Sequence, residues 1–308
     1  VYNNMGVTYR GLGDDTNMIK CYQKSLAGLP SITEDPDAIE VQSLNNLGLA
    51  HYMLGQDSLA IKCYNAAIKR NPQAWDAWWN LSTAWLRKAS SSGSLEDFAH
   101  GWEMYKARFL KKQPIKMKNM KDNLRYWDTK SSGSSIIILV EQGIGDSLMF
   151  FRYVDRLFEL FETVYIQCDA SLDALFAATG AIPVRDATEC DALVAYPICS
   201  LGECFPDVTR NFNYLEGKFG KYEFNPATFN VGIVWSGNTT HANDAYRSVN
   251  VRRFHRFNSI AKLYSLQPGF KGDKHVTGLD PKSWTETCQY VNGLDLVISV
   301  DTSVIHLC

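Results

Sequence analysis

One glycine-rich turn carries a carboxylate where a helix is predicted to begin, and this is the feature of the sequence best suited to chemistry. The turn consists of Gln142, Gly143, Gly145 and Asp146. It follows an apolar strand predicted at residues 136–140. Leu148 replaces the third glycine of the G-x-G-x-x-G dinucleotide fingerprint, and a carboxylate at this point would repel a phosphate. Asp146 therefore has two interpretations, a general base or an ordinary helix N-cap.

Two further polar clusters follow predicted strands near the end of the chain. The first combines backbone amides, a hydroxyl and a guanidinium, which suit a diphosphate, and it consists of Ser236, Gly237, Asn238 and Arg247. The second offers hydroxyl and amide donors at the carboxyl end of a strand, where open α/β sheets usually bind ligands, and it consists of Asp301, Thr302, Ser303 and His306. Capping and turn chemistry explains either cluster alone. Both clusters on one unit, opposite Asp146 on another, favour a site.

Short apolar runs alternate with helix-like stretches from about residue 134, which predicts parallel sheets with crossover helices. We predict strands at residues 136–140, 163–167, 183–184, 191–194, 231–235, 261–266 and 294–300. One helix is predicted from residue 147 to about residue 161, and another begins near residue 171. The irregular stretch around Pro197 and Pro206 separates two such series. Two α/β units in tandem predict a cleft between them.

Residues 1 to about 115 repeat themselves with the tetratricopeptide period, since Asn46 and Asn80 are 34 positions apart. Gly13, Cys21 and Pro30 recur 42 positions later, one period plus an insertion of eight that we place at residues 33–37. A second insertion is predicted at residues 88–94. Each unit is a helix pair that must stack on its neighbours. We interpret the aromatic residues at helical spacing as packing residues rather than a ligand cage: Tyr9, Tyr22, Tyr64, Trp78, Trp85 and Trp102.

Composition excludes several classes of function. The 308 residues carry a net charge of −2, which gives no general attraction for nucleic acid or an anionic membrane, and no apolar stretch is long enough to span a bilayer. A basic stretch from Lys106 to Lys121 is interpreted as a solvated connector. The eight cysteines contain no C-x-x-C pair. Reduced core thiols in a cytoplasmic protein without a metal site are therefore predicted.

The sequence begins within a helical pattern and stops shortly after a predicted strand, and we interpret it as a fragment truncated at both ends. The strand at residues 296–300 would then lack its covering helix. We expect this fragment to keep a folded repeat region and first α/β domain, to have a marginally stable second α/β domain, and to be inactive by itself.

The order and spacing of these motifs resemble those of the tetratricopeptide-repeat glycosyltransferases of bacteria and phages. Their catalytic part is similar to the heptosyltransferases and, distantly, to the O-linked N-acetylglucosamine transferases. The resemblance covers nearly the whole chain. It rests on the repeats and on Glu141–Asp146, Phe151–Tyr153, Val231–Asn238, Arg247–Ser248, Ser265–Gln267 and Leu294–Leu307.

The resemblance implies an all-α tetratricopeptide solenoid followed by an α/β GT-B fold, two Rossmann-like domains of which the second is incomplete. We accordingly predict three repeat units over residues 1–115, the first partial, and a basic linker over residues 116–133. An N-terminal acceptor domain is predicted over residues 134–228 and a C-terminal nucleotide-sugar domain over residues 229–308.

By the same resemblance, the chain transfers a sugar from a nucleotide-diphosphate sugar to a hydroxyl of a protein or glycan acceptor, with neither metal nor cofactor. Asp146 would be the base, and the turn at Gln142, Gly143 and Gly145 would face the acceptor. The implied donor-binding residues are Ser236, Gly237, Asn238, Arg247, Gln267, Asp301, Thr302, Ser303 and His306. Ser303 stands where the family motif has glycine. The concave face of the repeats is a further candidate for binding peptide.

Two other functions stay open. The chain could be a non-catalytic repeat scaffold with a degenerate transferase domain that binds a protein or glycan. It could also be a nicotinamide dehydrogenase with Asp169 on the ribose, although Asp146 and Leu148 disrupt the fingerprint that this would require. The donor sugar, the acceptor and the stereochemical outcome are not determined by these residues.

Overall fold

The computed structural model describes residues 1–28, 35–110, 124–205, 214–238 and 244–308, without the side chains of residues 245 and 246. The chain divides into two compact units, Val1–Lys116 and Met117–Cys308. Pro30, residues 33 and 34 of the predicted insertion and residues 111–121 of the basic stretch lie outside the described residues.

The first unit is built from helix pairs, as the repeats predict. Its described α-helices are α1 Tyr2–Leu12, α2 Asp15–Ala27, α3 Pro36–Met53, α4 Asp57–Arg70, α5 Trp75–Ser92 and α6 Leu95–Tyr105. Each helix packs against the next along the chain. Asp35 caps α3, accepting from the Ala38 amide at 3.0 Å, so the end of the predicted insertion already belongs to a helix start.

Equivalent glycines explain why the repeats keep their spacing. A Cβ atom on Gly6 would lie 2.4 Å from the ring of Tyr22, and one on Gly48 would lie 2.6 Å from the ring of Tyr64. Both tyrosines are fully buried. The first and second helices of these pairs can therefore approach closely only where the facing residue has no side chain.

The prediction that residues 88–94 form a flexible insertion between helices is wrong. Helix α5 continues to Ser92, Gly93 ends it in the left-handed conformation with φ of 70°, and Ser94 caps α6 by accepting from the Asp97 amide at 3.1 Å. Helical hydrogen bonding and the buried Ala89 outweigh the low helix propensity of the serines. The packing role of the aromatic residues is confirmed, since Tyr22, Tyr64 and Trp102 are buried, and Tyr9, Trp78 and Trp85 are half-buried against or beside the same core.

The second unit begins with an all-parallel sheet of five described strands in the order β1-β5-β2-β3-β4. These are β1 Arg125–Tyr126, β2 Gly133–Leu139, β3 Phe161–Gln167, β4 Ile182–Val184 and β5 Val194–Pro197. The α-helices α7 Ile144–Phe151, α8 Asp173–Ala177 and α9 Leu201–Cys204 follow individual strands. Residues 136–139 are fully buried, as expected for a central parallel strand.

Three sequence predictions need correction in this region. Strand β1 lies inside the predicted linker, because Trp127 is buried against the rings of Phe161 and Tyr196 and its amide donates to the Ala195 carbonyl. The helix predicted to reach residue 161 ends at Phe151 and is followed by a 3-10 helix, Val154–Glu159. Strand β5 lies three residues later than predicted.

A second all-parallel sheet follows, in the order β8-β7-β6-β9. Its described strands are β6 Asn230–Val234, β7 Lys262–Ser265, β8 Thr277–Gly278 and β9 Leu296–Ser299, with helices α10 Asp244–Arg247 and α11 Trp284–Gly293. Side chains cover both faces: Val231 and Ile233 pack with Phe254 on one, and Val234 packs with Tyr290 on the other. The two-residue strand β8 was not predicted, since so short a run carries no period. The fold predicted from the sequence, helical repeats followed by two parallel α/β sheets, is confirmed.

Replacing Gly48 with alanine should destabilise the repeat unit by about 1–3 kcal/mol, the usual effect of overpacking a core. The added methyl group would overlap the buried ring of Tyr64. Chemical denaturation followed by far-ultraviolet circular dichroism would measure the loss.

Gly11→Ala is the matched control, because a Cβ atom at this helical glycine meets no atom within 4 Å. It should leave stability unchanged or raise it by up to about 1 kcal/mol. Equal stabilities of the Gly48→Ala variant and the wild type would show that the close approach of glycine to Tyr64 is not made in solution.

Candidate functional site

The glycine-rich turn lies at the point where the strand order of the first sheet reverses. Strand β2 leads to β3 and β4 on one side, while β5 pairs with its other side. The turn with Gly143 and Asp146 directly follows β2. Gln142 extends towards the end of β5, where its side-chain amide donates to the Cys199 sulfur at 3.7 Å. The carboxyl ends of strands at such a reversal border the crevice in which open α/β sheets bind ligands.

The second sheet has the same organisation. Strand β6 leads to β7 and β8 on one side and pairs with β9 on the other. The turn that begins at Ser236 follows β6, and the turn that begins at Asp301 follows β9. The Val300 amide donates to the Val234 carbonyl at 3.0 Å, which holds the two strand ends side by side. Both polar clusters predicted from the sequence therefore lie at the second reversal point.

Asp146 occupies the third position of α7, and Gly143 is the N-cap residue. The Asp146 carboxylate accepts from the Gly143 amide at 3.1 Å. Asp146 is therefore not the N-cap residue. It helps to cap the helix because its side chain binds the backbone amide of the N-cap residue, Gly143. Only one of the two carboxylate oxygens is used in this bond, so the capping contact leaves an oxygen for other chemistry.

The environment of Asp146 favours its protonated form. Burial raises the pKa of the Asp146 carboxyl above its ordinary value, and the negative charges of Asp301 and Glu141 raise it further. The hydrogen bond from Gly143 acts in the opposite direction. A raised pKa brings a carboxylate closer to the basicity that general-base catalysis near neutral pH requires.

The two reversal points meet at Gly145 and Ser303. A Cβ atom on Gly145 would lie 3.3 Å from the hydroxyl oxygen of Ser303 and 3.7 Å from its Cα. Ser303 begins a short 3-10 helix, Ser303–Leu307, which packs against α7. The turns after β2 and β9 are therefore in van der Waals contact, with Asp146 directly beside that contact.

Arg247 joins the turns after β6 and β9. Its guanidinium donates to the Asp301 carbonyl. A Cβ atom on Gly237 would lie 3.1 Å from that guanidinium and 3.4 Å from the Thr302 methyl group. The Arg247 Nε is buried without a hydrogen-bond partner among the described residues. A buried donor of this kind is costly unless a ligand satisfies it.

Side-chain hydrogen bonds fix the turn after β6. The Ser236 amide donates to the Gln267 side-chain oxygen at 3.2 Å, and the Gly237 amide donates to the Ser248 hydroxyl at 3.4 Å. The Ser248 hydroxyl also contacts the Asp244 carboxylate at 2.5 Å. Gln267 is thus a support of this turn as well as a candidate ligand.

Thr302 and His306 complete the second cluster. The Thr302 hydroxyl shares a hydrogen bond with Ser299 at 3.1 Å. Burial lowers the pKa of His306, the positive charge of Arg152 lowers it further, and the charge of Asp301 opposes both. His306 is therefore held towards its neutral form, in which one ring nitrogen can donate and the other can accept.

The structure joins most of the predicted residues but not all. Asn238 is exposed at the outer end of its turn, and Gln142 is directed to Cys199. Asp169 lies at the end of another strand, where its carboxylate accepts from the Ser171 amide at 2.9 Å.

Sequence reasoning left three supporting residues without a role, namely Ser248, Ser299 and Arg152. All three lie within motifs that carry the family resemblance, namely Arg247–Ser248, Phe151–Tyr153 and Leu294–Leu307. Their residue types gave no further signal, and a serine at the end of a strand is common.

No group of three or more His, Cys, Asp or Glu side chains suited to a metal ion occurs among the described residues. None of the helices described here is both long and apolar enough to cross a membrane.

The repeat unit contains a second candidate site, a groove of about 760 Å³ that we call the repeat groove. Six of its thirteen lining residues carry amide side chains, and Trp75 and Asp76 are among the others. The amide residues are Gln42, Asn45, Asn46, Asn71, Gln73 and Asn80. Some also link neighbouring repeats, since Asn46 donates to Asn3 and Asn80 donates to Asn45, each at 2.9 Å.

Asp301→Asn should lower the pKa of Asp146. The Asp301 carboxylate is a like charge that raises this pKa, so its removal makes the ionised form of Asp146 easier to reach. The shift should be partial, because burial is the larger cause and is unchanged. A carboxyl-detected NMR titration would measure it.

Asp169→Asn serves as the control, since Asp169 is exposed and caps a different strand end. An Asp146 pKa that is identical in the wild type and in the Asp301→Asn variant would mean that the two carboxylates are not close in solution.

Comparisons with known proteins agree with the repeats. The tetratricopeptide repeat family model matches residues 1–73, which contain α1 to α4 and so confirm the repeat prediction there. No curated protein matches the chain. Among solved structures, the chain is similar to a mutant of the O-GlcNAc transferase of Thermobaculum terrenum, with 11% identity over 97% of this chain and 78% of that chain and a TM-score of 0.27. So low a score transfers neither fold nor activity to this chain.

Proposed function

We propose that this chain is a glycosyltransferase that moves a sugar from a nucleotide-diphosphate sugar to an acceptor hydroxyl. One observation carries the proposal: a half-buried carboxylate and a guanidinium, whose buried Nε has no partner among the described residues, both adjoin the turn after β9, where the reversal points of two parallel sheets meet. A base for the acceptor and a cation for the leaving diphosphate are the two charged functions that such a transfer requires.

Asp146 would act on the acceptor. Its free carboxylate oxygen takes the proton of the acceptor hydroxyl while the hydroxyl oxygen attacks the anomeric carbon of the sugar. The bond from that carbon to the diphosphate oxygen breaks, and the proton remains on Asp146. The raised pKa of Asp146 supports this role, because a more basic carboxylate accepts a proton more readily.

Arg247 would stabilise the leaving nucleoside diphosphate. A guanidinium can grip two phosphate oxygens at once. Thr302, Ser303 and His306 are the neutral donors within the same cluster. In this mechanism, protein groups rather than a metal ion offset the charge that develops on the diphosphate.

The order of motifs in the sequence supports the same proposal, since it resembles that of transferases with the GT-B fold. The donor would then occupy the second sheet and the acceptor the first. A repeat scaffold that has lost catalysis would keep this order as well, so the proposal needs a test by turnover.

Asp146→Asn should lower the rate of sugar transfer by at least about 100-fold and leave donor affinity nearly unchanged. Loss of a general base affects the chemical step, whereas asparagine still accepts the hydrogen bond from Gly143. Release of nucleoside diphosphate from a panel of nucleotide sugars would measure turnover, and calorimetry with the nucleoside diphosphate would measure affinity.

Asp169→Asn is again the matched control, because it removes another capping carboxylate from the same sheet. An Asp146→Asn variant that keeps more than about a tenth of the wild-type rate would leave Asp146 with only its capping role. A wild-type chain that turns over no nucleotide sugar in the panel would favour the non-catalytic scaffold.

Arg247→Ala should weaken binding of the nucleoside diphosphate by about 10-fold or more, and Arg247→Lys should restore only part of it. A charge-assisted hydrogen bond contributes about 1.5–3 kcal/mol, and lysine supplies a point charge without the fork. Calorimetry with each variant would give the affinities.

Arg252→Ala provides the control, since Arg252 is exposed and lies outside the cluster. Because Arg247 also holds the Asp301 carbonyl, thermal unfolding should accompany the measurement. Equal affinities of the folded wild type and Arg247→Ala variant would remove Arg247 from the diphosphate site.

We further propose that the repeat groove binds an extended segment of a protein acceptor. Amide side chains can both donate to and accept from a peptide backbone, and six of the thirteen residues that line the groove carry them. Gln42 and Gln73 are exposed. Their side chains make no hydrogen bond to another described residue, so replacing them should not disturb the fold.

The double variant Gln42→Ala and Gln73→Ala should therefore bind fewer members of a displayed library of random peptides than the wild type, without a change in stability. Gln23→Ala, on the exposed side of α2, is the control. Unchanged capture of peptides by the double variant would place the peptide elsewhere.

A further inference from the structure

The contact between Gly145 and Ser303 has a geometry that suggests a function of its own. A Cβ atom on Gly145 would lie 3.3 Å from the Ser303 hydroxyl oxygen, closer than such atoms normally approach, but 3.7 and 3.8 Å from the Ser303 Cα and amide nitrogen. The Ser303 hydroxyl is therefore the group that a side chain at position 145 would crowd, by a few tenths of an ångström, while the Ser303 backbone would stay at ordinary van der Waals distance. With glycine at position 303, a methyl group at position 145 would fit between the two turns.

Both partners of this contact are held by their own local structure. Gly145 lies within α7, whose first turn is fastened by the bond from the Gly143 amide to Asp146 and by the Ser147 hydroxyl on the Gly143 carbonyl at 3.0 Å. Ser303 follows Thr302, which is bonded to Ser299 at the end of β9. Neither turn can shift easily alone, so a change in the contact would move one turn relative to the other.

We infer that Gly145 and Ser303 form a spacer pair, two positioning residues whose combined side-chain volume sets the distance between Asp146 and the donor-binding turn. This inference rests on the proposed function, since the distance matters only if Asp146 is the base and the donor lies on the Asp301–Ser303 turn. Serine at 303 with glycine at 145 is one way to fill the gap, and glycine at 303 with alanine at 145 is another.

The spacing affects the chemical step more than binding. A displacement of about 1 Å between reacting groups can cost about 100-fold in rate. An alanine at position 145 opposite Ser303 would push the turns apart by a few tenths of an ångström. The rate constant kcat should then fall by about 3- to 10-fold, while the donor KM changes little, because the donor-binding turn itself stays intact.

A double-mutant cycle tests the spacer pair directly. The variants are Gly145→Ala, Ser303→Gly and the combination of the two, each measured for kcat, for the donor KM and for Tm. Replacing glycine with alanine ordinarily stabilises a helix. We expect the opposite sign in the wild-type background, a lower Tm by about 2–4 °C, and the ordinary stabilisation in the Ser303→Gly background. In the Ser303→Gly background, which lacks the Ser303 hydroxyl throughout, adding Gly145→Ala should leave kcat unchanged.

The outcomes separate the spacer from the proposed function. A Gly145→Ala effect on Tm that is the same in both backgrounds would show that the contact is absent and would overturn the inference. Coupled Tm values with an unchanged kcat in the Gly145→Ala variant would overturn it as well, because the spacing would then not affect catalysis. If the Tm effects of the two substitutions are coupled but the wild-type chain transfers no sugar, the proposed function is rejected and with it the role of the spacer pair in catalysis. The steric contact would still be established.

Discussion

Parallel strand pairing is the constraint on which the candidate site depends. In a parallel sheet all strands end at the same edge. Where the strand order reverses, the loops that follow two neighbouring strands therefore lie side by side, although they are distant in sequence. Gln142 and Cys199 are neighbours of this kind in the first sheet, and Gly237 and Thr302 are neighbours in the second. The contact between Gly145 and Ser303 then joins the two edges. The candidate site thus depends on the same feature in both sheets, a reversal of strand order.

Two carboxylates and one guanidinium lie at this junction, those of Asp146, Asp301 and Arg247. Asp146 and Asp301 are like charges near enough to raise the pKa of Asp146, and the Arg247 guanidinium is held on the carbonyl of Asp301 rather than on a carboxylate. Among the residues that the structure describes, no carboxylate pairs with this guanidinium, so its charge is available to a ligand there. The arrangement combines an anion that favours proton uptake with a cation that favours phosphate, and both adjoin the turn from Asp301 to Ser303.

In both units a glycine lets another residue approach the backbone closely, but the consequence differs. In the repeats, Gly6 and Gly48 admit the rings of buried tyrosines and so fix how two helices stack. At the site, Gly145 admits the Ser303 side chain and so fixes how two turns meet. In the repeats the neighbour is large and the contact stabilises a core. At the site the neighbour is small, and the contact leaves the adjacent carboxylate half-exposed.

The sequence by itself determined the repeats, the α/β character of the second unit and the strands that carry the polar clusters, because these follow from local periodicity and from residue types at strand ends. It did not determine the end of α7, the strand at Arg125–Tyr126 or the continuous helix through Ser92, each of which depends on contacts with residues distant in sequence. Nor could it show that Gly145 touches Ser303 or that Arg247 holds the Asp301 carbonyl. Those contacts join residues 158 and 54 positions apart, and only the tertiary arrangement of two parallel sheets decides which strand ends face each other.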